Sequence, residues 1–429
     1  MTAQADIPTT CALPDTPLAH ARAGIDACVH CGFCLQACPT YLTLEDENDS
    51  PRGRVLLMRS LLEGTLAPED ETIETHIGRC LGCRACETAC PSGVPYGHLL
   101  EATRATLAMR RPLPRIARVL LAVFGSAPLT ALAMWSGRLL RALHVPRLLA
   151  RLSGRAGFGM AMLAATERPV SAKRYTPRGT GERGSVALLT GCVMEGLFAR
   201  TNRATERTLI ENDYRITQAP GRRCCGALHA HAGDATGARE LARANVDAFE
   251  RSGADFVCAN AAGCGAMMKE YGQLLADDPA WAERAARVSR RVRDVSELLA
   301  AAGPKRGAPL PMTVTYDAPC HLLHAQRVSA PPLDVLRAIP ELELVPLDGT
   351  EQCCGSAGIY NLIEPETSNA VLGMKLANLR ETNATLVVTG NPGCLMQIGA
   401  GLTQARSTMR AVHPVDLLDA SYARLHGRT

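Results

Sequence analysis

Aromatic side chains are scarce in this 429-residue chain, at 4% with only two Trp. Surfaces that stack bases or sugar rings need several such rings together, so recognition of nucleic acid is not expected. No GxGxxG turn follows a strand-like run, and there is no P-loop and no Ser–His–Asp arrangement. The chain is therefore expected to hold neither FAD nor NAD of its own. The start, Met1 to Pro17, lacks a basic stretch followed by an apolar one, so no export signal is expected. A charge-free stretch from Val119 to Gly137 approaches the length of a bilayer span, but Gly125, Ser126 and Pro128 interrupt it. It reads as a packed helical pair, with contact to a membrane surface as the alternative.

Cysteine, by contrast, is abundant, with 18 residues. In a long chain without an export signal this points to metal sites in a reducing, cytoplasmic compartment rather than to a disulfide framework. Two runs share one spacing: Cys28-x2-Cys31-x2-Cys34-x3-Cys38-Pro39 and Cys80-x2-Cys83-x2-Cys86-x3-Cys90-Pro91. A [4Fe–4S] cube needs four thiolates, three from one tight loop and a fourth from farther away. In two-cluster proteins the fourth cysteine of each run serves the other cluster. The expected sets are Cys28, Cys31, Cys34 and Cys90 on one cube, and Cys80, Cys83, Cys86 and Cys38 on the other. A lone CxxC would fit zinc as well; two complete runs point to iron–sulfur clusters and electron transfer.

Around these runs the chain reads as helical. Ser50-Pro51 before RGRVLLMRSLLEG is a helix start, and PSGVPYGHLLEATRATLAMRR reads as a helix leaving the second run. From Ala105 to Gly184 there are fourteen Lys and Arg against two acids, Glu167 and Glu182. Being rich in Leu, Ala and Met, this basic stretch favours an anionic lipid surface or a protein partner over DNA.

The remainder holds an internal repeat. Cys192 and Cys320 lie 128 residues apart, Cys224 and Cys353 129, and Cys264 and Cys394 130. Copy one carries an insertion near Asp277 to Ala286. The sulfurs follow apolar runs (VALLTG, ADFVCANAAG, TVTYDAP, ATLVVTGNPG) with helical stretches between, which is α/β logic with sites at the carboxyl ends of strands. Gly226 and Gly355, after the paired cysteines, let the backbone pass close to whatever the sulfurs hold. Two four-thiol sets result: Cys192, Cys224, Cys225 and Cys264, then Cys320, Cys353, Cys354 and Cys394. A further iron–sulfur cluster is the first reading for each, with structural zinc or thiol chemistry as alternatives. Cys258, matched by Val388, reads as a buried apolar residue, and Cys11 as incidental in an N-terminal tail. His30, His229, His231, His321 and His324 lie near the sites and read as ordinary loop histidines or as donors to cluster sulfurs. Arg52 and Arg54 read equally as solvated helix residues or as countercharges for the clusters.

The stretches CVHCGFCLQACPTY, DSPRGRVLLMRSLLEG, CLGCRACETACPSGVPYG, CCGALHAHAGD, APCHLLHAQR and CCGSAGIYN resemble, in order and over nearly the whole chain, the iron–sulfur subunit family of glycolate oxidase (glycolate dehydrogenase). This resemblance implies a multidomain protein: an α-helical ferredoxin-like di-cluster domain (1–105), a basic helical connector (106–184), and two repeated α/β CCG, or cysteine-rich, domains (185–302 and 303–429). It also implies an enzyme divided among subunits. An FAD-containing partner oxidises glycolate to glyoxylate, a second flavoprotein-like subunit accompanies it, and this chain passes electrons toward quinone at the inner face of the cytoplasmic membrane. The same role with lactate or glycerol-3-phosphate is the alternative. Two [4Fe–4S] clusters fall on the eight N-terminal cysteines. The related heterodisulfide reductases end their motif in CxxC; here Ala261 and Asn391 stand at the first position of that pair, which argues against disulfide reduction.

Overall fold

The computed structural model describes residues 11–152, 154–167, 169–170 and 175–427. Up to Ala108 the described chain is helical. Its longest elements there are Pro51–Glu63 and Tyr96–Ala108. Ser50 caps the first of these by accepting from Gly53 N, Pro51 supplies a preset φ in the first turn, and Gly64 ends it in a left-handed conformation at φ 74°. Leu18, Ile25, Met58, Leu61, Ile73, Ile77 and Leu99 fill the core between these helices. Cys11 packs against the same core, and Ala12 N bonds to Leu62 O. The expectation of an incidental tail residue is corrected there.

The connector folds as helices Arg115–Gly125, Ala127–Ala142, Val145–Leu149 and Gly154–Ala164. Gly125 and Ser126 break the charge-free stretch, and the helices on either side meet at 102°. No single helix among the described residues is long and apolar enough to cross a membrane. The expectation of a plain packed pair holds for Ala117 and Leu121 of the first helix, but none of Ala127–Ala142 is buried.

Each copy of the repeat builds a four-stranded parallel sheet. The strands are β1 (Ser185–Leu189), β2 (Arg215–Thr217), β3 (Phe256–Ala259) and β4 (Val292–Asp294), then β5 (Met312–Tyr316), β6 (Leu342–Val345), β7 (Leu386–Val388) and β8 (Arg410–Val412). The orders are β2-β1-β3-β4 and β6-β5-β7-β8, the same topology twice. The four apolar runs read from sequence are the central strands β1, β3, β5 and β7. Covered on both faces by helices, they are near-continuously apolar, as buried parallel strands require. In copy one, the insertion leads into a helix, Ala282–Arg291, before β4; copy two passes from Pro392–Gln404 to β8 without one.

The two copies share a core. Val186, Leu188 and Cys258 of the first pack with Val314, Tyr316, Val388 and Val412 of the second. Burying each such side chain stabilises by about 1.5–3 kcal/mol. Cys258, fully buried on β3, is the apolar core residue expected. The junction is tied by Arg207, which donates in a fork to both carboxylate oxygens of Asp419, at 2.8 and 2.7 Å, and by Asn212 Nδ2 to Tyr422 Oη at 3.0 Å.

Candidate metal centres

The two N-terminal runs use the same backbone device. His30 and Gly82, the residues before the second cysteine of each run, have φ of 53° and 62°; Gly32 and Arg84, the residues after it, have φ of 86° and 64°. Paired left-handed residues on either side of the second cysteine fold each x2 spacer back on itself, which directs successive sulfurs into one concavity. The environments then diverge. Cys31 is exposed and Cys28, Cys34 and Cys90 are half-buried, whereas Cys38, Cys80, Cys83 and Cys86 are buried.

Burial pushes the Cys83 and Cys86 thiols well up. Cys38 and Cys80 lie close enough to both to raise them further, which brings together all four members of the second expected set. Burial likewise pushes Cys34 up to about 11, with Cys28 and Cys38 adding to it. Cys31 and Cys90 show no such coupling to Cys34, but buried neighbouring thiols that resist ionisation alone fit a metal that takes thiolates and supplies the compensating charge. No disulfide joins any of the cysteines.

Beneath the second set lies Arg54, fully buried. It donates to Asp49 Oδ1 at 2.9 Å, His76 O at 2.6 Å and Thr40 Oγ1 at 3.0 Å, and its Nη1 stands 4.0 Å from Cys38 Sγ. Burial opposes its charge, but Cys80, Tyr96, Cys38 and Asp49 outweigh this and hold the guanidinium firmly protonated. Of the two readings for PRGR, solvation is excluded for Arg54, which is buried beside Cys38; Arg52 is partly exposed, paired with Glu47 at 2.7 Å and reaching His30 O. Asp49 also faces Arg79 at 3.1 Å and His76 at 3.2 Å. With two guanidinium groups on its oxygens it is the hub of an ion-pair network, not a cation site.

In copy one, Cys192 begins helix Cys192–Leu197 just past β1, and Cys264 lies in helix Ala262–Lys269 just past β3. Cys192 Sγ is 3.6 Å from Cys224 Sγ. Hydrogen bonds from Cys192 and Cys225 pull the Cys224 thiol well down, while Cys225, held between Cys224 and Cys264, is pushed up. Tyr271 Oη donates to Cys225 O at 2.8 Å, and Asn245 Nδ2 to Cys224 O at 2.9 Å, fixing the paired cysteines from below. Copy two repeats the pattern. Cys353 is pulled down by Cys320 and Cys354, and Cys354 Sγ is 3.3 Å from Cys394 Sγ. Gly226 and Gly355 have φ of 88° and 87°; a Cβ on Gly355 would sit 2.5 Å from Ser368 O. In each copy the thiols are linked pair by pair, Cys192–Cys224–Cys225–Cys264 and Cys320–Cys353–Cys354–Cys394, a donor chemistry that suits a cluster or zinc.

The copies differ around the sulfurs. Copy two buries Lys375 against its set, paired with Asp317 at 2.8 Å and coupled to Cys354 and Cys353. At the matching place in copy one, set by Ala238 and Ser368 facing Gly226 and Gly355, stands Asn245, which donates to Cys224 O. Nothing in the sequence marks Lys375, which sits in helix Pro365–Glu381.

The second cysteine run is wedged between the copies. Leu81, Cys83 and Ala85 form one packed cluster with Cys320, Cys353, Tyr360 and Val371 of copy two. Thr88 Oγ1 lies 2.8 Å from His324 Nδ1, and the ring's other nitrogen meets Glu351 O at 2.9 Å. On the other side Arg84 pairs with Glu270 of copy one. His321 lies beside Cys320, Sγ to Nδ1 3.5 Å, with burial depressing its pKa to about 3. His231 bonds to Glu101 at 3.1 Å and His229 to Asp234 at 2.7 Å; His30 is a turn residue.

Comparison with known proteins agrees with this layout. A 4Fe–4S dicluster domain model matches residues 24–94, and a cysteine-rich domain model matches 186–269 and again 314–399. The probable glycolate oxidase iron–sulfur subunit of Bacillus subtilis (strain 168) is 37% identical over 412 residues, 91% of this chain and 92% of that protein. The glycolate oxidase iron–sulfur subunit of Escherichia coli (strain K12) is 35% identical over 404 residues, 90% and 93% of the two chains. Lactate utilization protein A of Bacillus velezensis is 28% identical over 237 residues, 55% of this chain and 99% of that protein. With the dicluster module, both cysteine-rich copies and that extent of identity in one continuous order, the chain belongs to the family of glycolate oxidase iron–sulfur subunits.

Proposed function

We propose that this chain is the electron-carrying subunit of a glycolate-oxidising complex. It takes electrons from an FAD-containing partner that converts glycolate to glyoxylate, alongside a second flavoprotein-like subunit, and passes them toward a quinone acceptor. The observation that carries the reading is the contact of the second cysteine run with copy two: Cys83 and Cys353 lie in one packed cluster, so two sulfur sites adjoin with no solvent layer between them. The eight N-terminal cysteines would hold two [4Fe–4S] clusters, whose chemistry is one-electron exchange; a flavin reduced by two electrons can give them up singly to such acceptors.

The chain's own residues supply the surroundings. Arg54 places a fixed positive charge under Cys38 and Cys80, which favours the more negative, reduced state. Tyr96 Oη and Gly82 N each reach Cys80 Sγ at 3.5 Å and add donors to the same sulfur. Leu81, Ala85 and Val371 keep water from the junction with copy two. The alternative substrate is lactate, favoured by the 28% identity to lactate utilization protein A; the substrate pocket belongs to the partner under either reading.

In the assembled complex, Cys31→Ala or Cys83→Ala is expected to abolish quinone-linked turnover while glycolate still binds the flavin subunit. Unchanged quinone-linked activity in both variants would refute the relay.

A further inference from the structure

We infer that the connector is a docking face for an anionic lipid surface, formed by the outward side of helices Arg115–Gly125 and Ala127–Ala142. Among the described residues, fourteen large apolar side chains are exposed, and nine of them fall between Ile116 and Leu152. Five, Leu129, Leu132, Trp135, Leu139 and Leu143, recur every three or four residues and so form one stripe along the second helix. The opposite side of that helix is held by the body of the protein. Met134 packs into the space over Gly196, where a Cβ would lie 2.3 Å from its sulfur, and Arg141 donates to Thr166 Oγ1 at 2.7 Å and Leu197 O at 3.1 Å. The apolar stripe therefore faces away from the protein by construction.

The charge selects the occupant. Arg115, Arg118, Arg138 and Arg151 are exposed around the stripe, and Glu167, one of only two acids from Ala105 to Gly184, is paired with Arg147. An apolar stripe with a Trp, rimmed by arginines and nearly free of acids, matches the interface of an anionic bilayer, where rings sit at headgroup depth and cations meet phosphates. The 102° bend between the helices suits a pair lying on the surface rather than crossing it. The inference stands on exposure and charge alone and does not require the proposed electron-transfer role.

The test uses the full chain purified anaerobically, with vesicles of phosphatidylglycerol mixed into phosphatidylcholine, and with pure phosphatidylcholine as control. The chain is expected to cosediment with the anionic vesicles, at least about tenfold more weakly with the neutral ones, and to be released by salt. The paired substitution Leu132→Glu with Trp135→Glu, at exposed positions, is expected to cut binding by about tenfold or more with no change in thermal melting or visible absorbance. Trp281→Phe leaves Trp135 as the remaining tryptophan, whose emission should shift to the blue on binding. Failure of the parent chain to bind anionic vesicles, or equal binding by the Glu variant, would overturn the inference. So would loss of a partner subunit from the Glu variant with vesicle binding intact, which would make the stripe a protein interface.

Discussion

Asn391 Nδ2 donates to Cys394 Sγ at 3.5 Å while its Oδ1 accepts from Gly263 N of the other copy at 3.3 Å. The residue standing where a heterodisulfide reductase would carry the first cysteine of CxxC thus serves both a sulfur site and the junction of the copies. Its counterpart Ala261 is buried at that junction, where Ala262 N bonds to Gly390 O at 3.1 Å. Replacing Asn391 by Ala strands Gly263 N in a partly buried position. The expected cost is about 1–3 kcal/mol of unfolding free energy, read by denaturant titration under anaerobic conditions. No change in stability would mean that the junction does not depend on this bond.

Arg54 is the largest fully buried side chain, and it satisfies Asp49, Thr40 and the His76 carbonyl at once. Arg54→Met is expected to destabilise by about 3–5 kcal/mol, because it leaves buried acceptors unpaired. Arg54→Lys should recover only part of this, since one ammonium cannot span the three directions of the fork. Full recovery by Lys would show that charge alone, not the shape of the network, holds the site.

Asp294 caps helix Val295–Ala302, accepting from Ser296 N at 2.9 Å and Ser296 Oγ at 2.6 Å, with Glu297 completing the box. Burial nonetheless raises its carboxyl to about 6, with Glu297 adding to the rise and Ser296 and Lys269 opposing it. A carboxyl raised in the folded state favours the fold while protonated. Its contribution is therefore fully present below pH about 4 and is lost as pH climbs through about 6. Asp294→Asn, which still caps, should remove that decline and leave the protein about 1–3 kcal/mol more stable at pH 7 relative to the parent. An identical pH profile in the variant would contradict the raised carboxyl.

Much of this architecture was legible from spacing. The repeated offsets of the cysteines expose the duplicated sheets, because a parallel α/β unit places its ligands just beyond strand ends and tolerates change elsewhere. The four central strands were readable because both faces are buried, which makes them continuously apolar. Strands β2, β4, β6 and β8, three or four residues long at the flanks of each sheet, carry no such run. Arg54 was legible only as one of two alternatives, since its burial is decided by partners 5, 14 and 22 residues away, Asp49, Thr40 and His76. Lys375 was not legible at all: a lysine reads as solvated until Asp317 and the copy-two sulfurs are brought beside it. The connector was misjudged in one respect, because composition specifies that Ala127–Ala142 is helical but not that the protein leaves one side of it uncovered.

The account rests on iron in the cysteine sites, so the most direct measurement is anaerobic iron, sulfide and zinc analysis of the purified chain, with EPR before and after dithionite. About eight irons per chain with matching sulfide are expected from the two N-terminal runs, falling by about four in Cys83→Ala, and substantially more if the repeat also carries clusters. Zinc with little iron and no EPR signal on reduction would contradict it.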